Sequence, residues 1–243
     1  MQLAIGPTRL ARPEGETLMN DLRKIDANKI LGQLLSNGAA TGIAGALAGG
    51  MLASKRGRKL GKKAVELGGL AAVAGVAWMA WNRYRGGAAN AATAGVAPID
   101  EITAATQAGF LPLRSESQRT QQLGLTMIRA MIAAARADGK LAGREGEAIF
   151  RAVGQLELDA DEKAMLLEEL GRPVDLDALV AEAQTPEMAA EIYAAALLAI
   201  EIDTPAERAW LAMLAARLEL AEPLVAQLEA RADSEVDAVR ATG

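Results

Sequence analysis

The spacing of apolar residues predicts a chain built almost entirely of helices. From Gln118 onward, apolar side chains recur every three or four residues, and short polar breaks with helix-capping residues separate the stripes. The pattern predicts an all-α bundle of seven short helices over residues 118–232, followed by a tail over 233–243. The fifth helix carries a single charge, Glu191, between Ala189 and Ile200, so we expect it at the centre of the bundle.

Caps and stripes divide this bundle into its helices. Helix starts are predicted at Asp159, Asp175, Thr185 and Thr204. The first helix has an inward stripe of Leu123, Met127, Ile128, Met131, Ile132 and Ala135. The sixth helix is expected to turn Trp210, Leu211, Leu214 and Leu218 inward, and the seventh to run from Glu222 to about residue 231.

The same pattern occurs twice along the bundle, at a constant offset of 62 residues. An apolar helix ends at Asp138-Gly139 and Glu145 opens the next helix; downstream, an apolar helix ends before Asp203 and Glu207 opens the next. A Leu-Glu-Leu segment follows in each half, at 156–158 and 218–220. A repeat of this consistency predicts two related helical halves packed as one unit.

The N-terminal part is predicted to be organised differently. Residues 1–18 have no sustained periodicity and are expected to be disordered, with Met19 as an alternative start. Residues 19–37 have the pattern of an amphipathic helix, and 38–85 that of a Gly- and Ala-rich helical region. Residues 86–117, rich in Gly, Ala and Thr, are predicted to be a linker, because isolated apolar residues do not supply a core.

The Gly-rich region predicts a membrane-associated helical hairpin. A stretch of 25 uncharged residues follows Lys29, and a second apolar run spans Ala64 to Trp81. Aromatic and basic residues at the end of the second run are typical of an interfacial anchor; they are Trp78, Trp81, Arg83, Tyr84 and Arg85. Gly38/Gly42 and Gly45/Gly49 provide small-xxx-small pairs through which such helices approach closely or self-associate. The alternative is a helical hairpin buried in protein.

Charge and composition narrow the chemistry. Residues 1–116 carry 14 basic and 8 acidic side chains, a balance of +6, whereas residues 117–243 carry 12 and 23, a balance of −11. The first part suits an anionic bilayer and the second repels nucleic acid, so no nucleic-acid partner is expected. The chain has no Cys and no His, which excludes thiol chemistry, structural zinc and His-based triads. A bound metal would need oxygen ligands, which favours calcium, magnesium or manganese.

Four segments of the chain form recognisable motifs: Asn28-Lys-Ile-Leu-Gly-Gln-Leu-Leu35, Ala137-Asp-Gly-x-Leu141, Leu156-Glu-Leu-Asp-x-x-Glu-Lys163 and Ala199-Ile-Glu-Ile-Asp-x-x-x-Glu207. Together they resemble the TerB-like family, named for tellurite-resistance proteins. The Gly-rich N-terminal region resembles that family's inner-membrane branch of unknown function, the YebE type. The resemblance implies an all-α domain with protein partners and a divalent cation held by acidic residues. Carried onto this sequence, the metal-ligating positions are Asp138, Glu145, Asp203 and Glu207.

Helix capping is an alternative role for the same carboxylates. Glu207 stands three residues after Thr204, as the acidic member of a capping box does, and Glu145 lies in a first helical turn where the helix dipole favours a negative charge. Asp138-Gly139 is ordinary helix-ending sequence. A third alternative is a hydrolase that uses Asp138 and Glu207 as an acid/base pair, which predicts a cleft with a carboxyl group of strongly raised pKa.

The sequence therefore predicts a membrane-anchored TerB-like helical module that binds proteins or responds to a divalent metal, and not an enzyme. The rival to this prediction is a structural membrane protein that oligomerises through its Gly-rich helices. The bacterial inner membrane is the expected location. The basic loop Lys55–Lys63 favours an extracytoplasmic C-terminal domain under the positive-inside rule, whereas the family resemblance favours a cytoplasmic one.

Overall fold

The computed structural model describes residues 25–37, 69–86, 98–113, 115–137, 153–154, 156–200, 202 and 204–240. These residues form helices and turns without any strand, which confirms the all-α prediction for this part of the chain. Within the described ranges, nine helices occur: α1 (Ala27–Asn37), α2 (Gly69–Gly86), α3 (Pro98–Gln107), α4 (Ser117–Ala135), α5 (Ala160–Gly171), α6 (Leu176–Ala181), α7 (Pro186–Ala199), α8 (Pro205–Arg217) and α9 (Glu222–Arg240).

Helix α7 is the centre of the bundle, as its composition predicts. Every residue from Ala189 to Ile200 is buried, Glu191 included. It packs most extensively against α4 and also contacts α2, α8 and α9. The predicted stripe of α4, from Leu123 to Ala135, is buried in this contact region. An all-round apolar helix is stable only when neighbours cover every face, so the other helices wrap α7.

The predicted caps are present. Asp159 and Glu162 form a reciprocal capping box at α5, with both hydrogen bonds at 2.9 Å. The Asp175 carboxylate accepts a 2.9 Å hydrogen bond from the backbone N–H of Ala178, and the Thr185 hydroxyl accepts one of 3.2 Å from that of Met188. Each cap satisfies a backbone donor that the first helical turn leaves without a partner.

The internal repeat is visible in the helix starts. Helix α5 begins at Ala160 and α9 at Glu222, which are 62 positions apart. Leu156 and Leu218, which correspond at that offset, are both buried just before these helices. Residues 138–152 would form most of the first counterpart of α8, and they lie outside the described residues.

The second apolar run, which the sequence predicts to be a membrane helix, packs against protein over the residues that the structure describes. Helix α2 lies inside the bundle and contacts α7, α9 and α1. Its residues Val73, Ala74, Val76, Ala77 and Ala80 are at most 1% exposed. None of the described helices combines the length and the apolar character that a bilayer span requires. An Ala-rich helix buried on all sides by protein has the same composition as a short membrane helix, so the pattern alone did not separate them.

Helix α1 is joined to α2 and α4 at a tight junction, which we call the α1–α2–α4 junction. A Cβ on Gly69 would lie 2.4 Å from the backbone nitrogen of Gly32, and one on Gly124 would lie 2.9 Å from the Cβ of Ala27. These glycines are required because the helix backbones approach closer than any side chain allows. The first Gly-rich run, 38–54, and the basic loop, 55–63, lie outside the described residues.

Polar side chains complete the same junction. Asn28 Oδ1 accepts a 2.9 Å hydrogen bond from the N–H of Leu70, and Gln121 Oε1 accepts one of 2.8 Å from the N–H of Ala27. Lys29 Nζ lies 2.7 Å from the buried carboxylate of Glu162. The Asn-Lys-x-x-Gly segment therefore holds α1 against α2, α4 and α5.

The predicted linker 86–117 contains structure as well. Helix α3 lies within it, and Phe110 is 1% exposed, with its ring edge-on to Trp81 at a centroid distance of 6.0 Å. Trp81, predicted to be part of an interfacial anchor, thus packs against protein. Two smaller corrections concern the C-terminal helices: Trp210 is half-buried where a core position was expected, and α9 continues to Arg240.

Candidate functional site

The structure describes one of the four acidic residues that are predicted to bind a metal. Asp138, Glu145 and Asp203 lie outside the described residues. Glu207 is described, and it is the capping-box partner of Thr204: its Oε2 accepts 2.9 Å hydrogen bonds from the N–H and from the hydroxyl of Thr204. The capping interpretation of Glu207 is confirmed. No metal-binding group of three acidic side chains occurs within the described ranges, and the four-residue site stays a prediction.

Three clefts surround one loop of the bundle, residues 182–185 between α6 and α7. We call them the Arg129 cleft, the Glu191 cleft and the Tyr84 cleft, with volumes of about 250, 260 and 350 Å³. Glu182 lines the first two, and Gln184 and Thr185 line the last two. The three clefts therefore form one continuous face, which we call the cleft face.

The Arg129 cleft contains a network in which each charge has a partner. Arg129 Nε lies 2.8 Å from Glu169 Oε2, and its Nη1 lies 3.1 Å from Glu182 Oε1. The Thr126 hydroxyl donates to the other oxygen of Glu182, and Arg172 Nη1 is 2.9 Å from Glu169. The hydrogen bond with Glu169 raises the pKa of Arg129 above its usual value, against the opposing effect of burial. A network of this kind holds α4, α5 and the 182–185 loop together.

The Glu191 cleft contains a carboxyl group that lacks such a partner. Glu191 is 3% exposed, yet it lines the cleft with Phe110, Leu123 and Met188. Within the described part of the chain, no hydrogen bond or ion pair reaches its carboxyl group. Burial raises the pKa of Glu191 well above its ordinary value, the charge of Glu187 raises it further, and Arg119 opposes both. This carboxyl group therefore holds its proton to a higher pH than a surface Glu does.

The Tyr84 cleft is lined by aromatic and apolar side chains. Trp81 and Tyr84 meet edge-on at a centroid distance of 6.3 Å and face Pro186, Leu218 and Leu220 across the cleft. Glu219, between the two leucines, has a left-handed backbone with φ of 54°. This turn brings the two leucines to the rim at the start of α9.

Exposed apolar side chains collect at the cleft face. The large apolar residues with exposed side chains in the described ranges are Tyr84 (40%), Leu113 (59%), Val174 (41%) and Met213 (44%). Tyr84 lines its own cleft, Val174 lines the Arg129 cleft, and Leu113 follows Pro112 of the Glu191 cleft. Only Met213 lies elsewhere, on α8. Apolar side chains exposed together mark binding surfaces more often than scattered ones.

The sequence contained one signal for this site. Glu191 is the single charge in the most apolar helix, and a lone carboxyl on such a helix must either find a partner or face a cavity. The rest of the cleft face had no local signal, since its residues come from six helices (α2, α4, α5, α6, α7 and α9) and from the segments 109–112, 172–175, 182–185 and 218–221. Glu191, whose pKa is raised by burial, is not one of the two residues proposed for the hydrolase alternative.

Comparison with known proteins gives a family but no further relative. Neither the curated proteins nor the solved structures contain a match to this chain. Residues 34–232 match the family DUF533, described as a protein of unknown function. The matched range begins inside α1 and ends inside α9, so it includes the cleft face and the α2 and α4 sides of the α1–α2–α4 junction. The α1 residues of that junction, Ala27, Asn28, Lys29 and Gly32, lie before it. The chain belongs to DUF533, a TerB-like family.

Proposed function

We propose that this protein is a non-enzymatic helical module that binds a segment of a partner protein on the cleft face. The observation that carries the proposal is the position of Tyr84, Leu113 and Val174, three exposed apolar side chains at three adjoining clefts. Scattered exposed apolar residues need no explanation, whereas a group of them around concave surfaces is typical of recognition sites.

The size of the clefts favours a peptide segment over a metabolite. Each has a volume between about 250 and 350 Å³, at or below the lower end of about 300–1,000 Å³ for pockets that enclose a drug-sized ligand. Three small adjoining clefts suit separate side chains of one extended segment. Glu182 lines two of them, and its 3.1 Å ion pair with Arg129 holds this shared side chain in place, as the fixed geometry of a recognition site requires.

Site-specific photo-crosslinking tests this proposal. Benzoylphenylalanine is placed at Tyr84, Leu113 or Val174, and at Met213 as a matched exposed control on α8. The expected result, in cells of the source organism, is one protein adduct of the same mass from the first three positions and none from position 213. Equal adducts from all four positions, or an adduct of twice the chain's own mass, would contradict a partner-specific face.

We further propose that the protein is tethered to the bacterial inner membrane through residues 38–63. Because α2 packs against other helices of the bundle, we assign the membrane contact to the first run and the basic loop and not to the second apolar run. Six basic residues in this loop would each add about 1 kcal/mol of attraction to an anionic leaflet. They are Lys55, Arg56, Arg58, Lys59, Lys62 and Lys63.

Vesicle co-sedimentation tests the tether. Binding should require anionic phosphatidylglycerol and should be lost when the six basic residues are changed to Gln. The control is Arg83→Gln with Arg85→Gln, because these residues end α2 in the bundle. Equal binding to neutral vesicles would instead support insertion of the apolar run. Alkaline phosphatase or a fluorescent protein fused to Gly243 reports the side on which the C-terminal part lies.

The divalent-cation role rests on Asp138, Glu145 and Asp203, since the described hydrogen bonds of Glu207 serve the α8 cap. A thermal melt with calcium, magnesium, manganese or chelator tests it. A site with a Kd a hundredfold below the ion concentration would stabilise the fold by about 2.7 kcal/mol. An unchanged melting temperature with all three ions would eliminate this role.

A further inference from the structure

The floor of the Glu191 cleft, which is the carboxyl group of Glu191, can accept or donate hydrogen bonds that no described residue supplies. Glu191 is nine-tenths buried and lines the cleft, and no donor from the described residues contacts its carboxyl group. A buried polar group without a partner costs free energy, and fold stability alone would favour an apolar residue at this position. A ligand that brings donors to this floor would remove that cost.

The charges around the cleft favour a cation over an anion. Glu182 stands in the wall and Glu187 acts on Glu191 from the preceding turn of α7. Two positive side chains lie near them. Arg129 is 3.1 Å from Glu182. Arg119 of α4 lines the cleft, is 63% exposed and lies 3.7 Å from Glu116. An exposed guanidinium that already has a carboxylate neighbour is largely screened by water. Glu182 and Arg119 thus each lie beside an opposite charge, whereas Glu191 has no ion pair among the described residues. The longer-range charge of Arg119 still acts on Glu191 more strongly than that of Glu187 does. A ligand cation would supply the ion pair that Glu191 lacks.

The walls and the volume favour a slender ligand. Phe110, Leu123 and Met188 line the cleft with apolar surface, and the volume is about 260 Å³. A four-carbon methylene stem ending in an ammonium matches both features, because the stem packs on apolar walls and the head supplies three donors. A guanidinium is a planar fork that prefers bidentate pairing with an accessible carboxylate, which a nearly enclosed single acid serves less well.

We propose that the Glu191 cleft binds a lysine side chain of the partner segment, with its ammonium group against the Glu191 carboxylate. This inference rests on the proposed partner-binding function and names the residue type that the face recognises. The ammonium enters already charged. When Glu191 is protonated in the free protein, its proton is released to solvent as the ion pair forms.

Isothermal titration of the full-length chain with short capped peptides tests the inference. The probe is acetyl-Ala-Lys-Ala-amide, and the matched control has norleucine in place of lysine, which keeps the stem and removes the charge. We expect the lysine peptide to bind at least tenfold more tightly than the norleucine peptide. Equal affinity would show that the cleft reads apolar surface only and would overturn the inference.

Two variants locate the contact. Glu191→Gln keeps the shape of the side chain and should reduce lysine-peptide affinity at least tenfold. Glu187→Gln neutralises a carboxylate on the same helix that does not line the cleft, and should change affinity less than threefold. A circular dichroism melt identifies any variant that fails to fold. Undiminished binding by folded Glu191→Gln would overturn the inference.

The pH dependence gives a readout that is independent of these variants. Because burial raises the pKa of Glu191, affinity for the lysine peptide should increase as pH rises through that pKa, with protons released in buffers of different ionisation enthalpy. A ligand carbonyl accepting from the protonated acid would show the opposite slope and overturn the inference.

Two further measurements distinguish a free amine from a protein lysine, and the lysine contact from the partner-binding function. Butylamine binding as tight as that of the peptide would show that the site takes free amines and would overturn recognition of a protein lysine. Adducts at Tyr84, Leu113 and Val174 without any peptide binding would leave the partner-binding function standing and eliminate the lysine contact. Tight lysine-peptide binding without any adducts would leave the lysine contact standing and eliminate the extended partner-binding face.

Discussion

The α1–α2–α4 junction and the cleft face differ in whether their buried polar groups have partners. At the junction, the side-chain oxygens of Asn28 and Gln121 accept from backbone N–H groups, and Glu162 binds Lys29. On the cleft face, Glu191 is buried without a partner among the described residues, and apolar side chains stay exposed. Buried polar groups that are hydrogen-bonded between closely packed helices stabilise the fold. A buried carboxyl group without a partner, beside exposed apolar side chains, indicates a site for a ligand.

The largest expected effect is at the junction. Gly69→Ala places a Cβ 2.4 Å from the backbone nitrogen of Gly32 and 2.6 Å from the carbonyl carbon of Leu31. Since backbone atoms cannot rotate away, the variant should lose about 3 kcal/mol of unfolding free energy. Urea unfolding measures it. The matched control is Gly75→Ala on the same helix, where nothing lies within 4 Å; it should be neutral or gain up to about 1 kcal/mol. Similar losses in both variants would contradict the close approach.

The next effect tests whether the Arg129 network belongs to the fold. Arg129→Met leaves the nearly buried carboxylate of Glu169 without one of its cations. Breaking a fully buried pair costs about 3–5 kcal/mol. Because the Arg129 side chain is 34% exposed, we expect a smaller loss, about 2 kcal/mol. The double variant with Glu169→Gln should recover part of the loss. A loss of unfolding free energy below about 0.5 kcal/mol, the range of ordinary surface substitutions, would show that this network does not stabilise the fold. Its role would then be in binding.

A smaller, pH-dependent effect tests the orphan carboxyl group. Glu191 has a folded-state pKa above the ordinary 4.5, so between these values the folded state holds more protons than the unfolded chain. Its contribution to stability is therefore complete below pH 4.5 and is lost as pH rises through the raised pKa. Relative to Glu191→Gln, the wild type should lose up to about 1.4 kcal/mol per pH unit in that window. A constant difference from pH 4 to 8 in urea unfolding would mean that Glu191 already has a partner.

The smallest effect on stability is expected from the exposed apolar residues. Tyr84→Ser and Val174→Ser should change the unfolding free energy by less than about 0.5 kcal/mol, as surface substitutions do. The same variants should remove the crosslinked adduct formed from Leu113. Met213→Ser should affect neither measurement. If Tyr84→Ser or Val174→Ser unfolds the protein instead, the cleft face is part of the core and the comparison with the junction fails.

Local sequence determined the helices and their ends. The caps at Asp159, Asp175, Thr185 and Thr204 lie where their patterns predict, and α7 is central because its composition admits no exposed face. These features depend on hydrogen bonds within four residues and on 3.6-residue periodicity, which a single segment contains. The all-α class and the capping role of Glu207 could be read without any tertiary information.

Tertiary structure alone decided what covers each apolar helix and which polar groups meet. The run that ends at Trp81 has the composition of a short membrane helix, but α7 and α9 cover it. Phe110 reaches its buried place against Trp81 from a segment without periodicity. Glu191 was visible as a lone charge, whereas its cleft requires Phe110, Leu123 and Met188 from three separate segments. Burial and hydrogen bonding depend on neighbours that are distant along the chain, and a sequence pattern contains only the near ones.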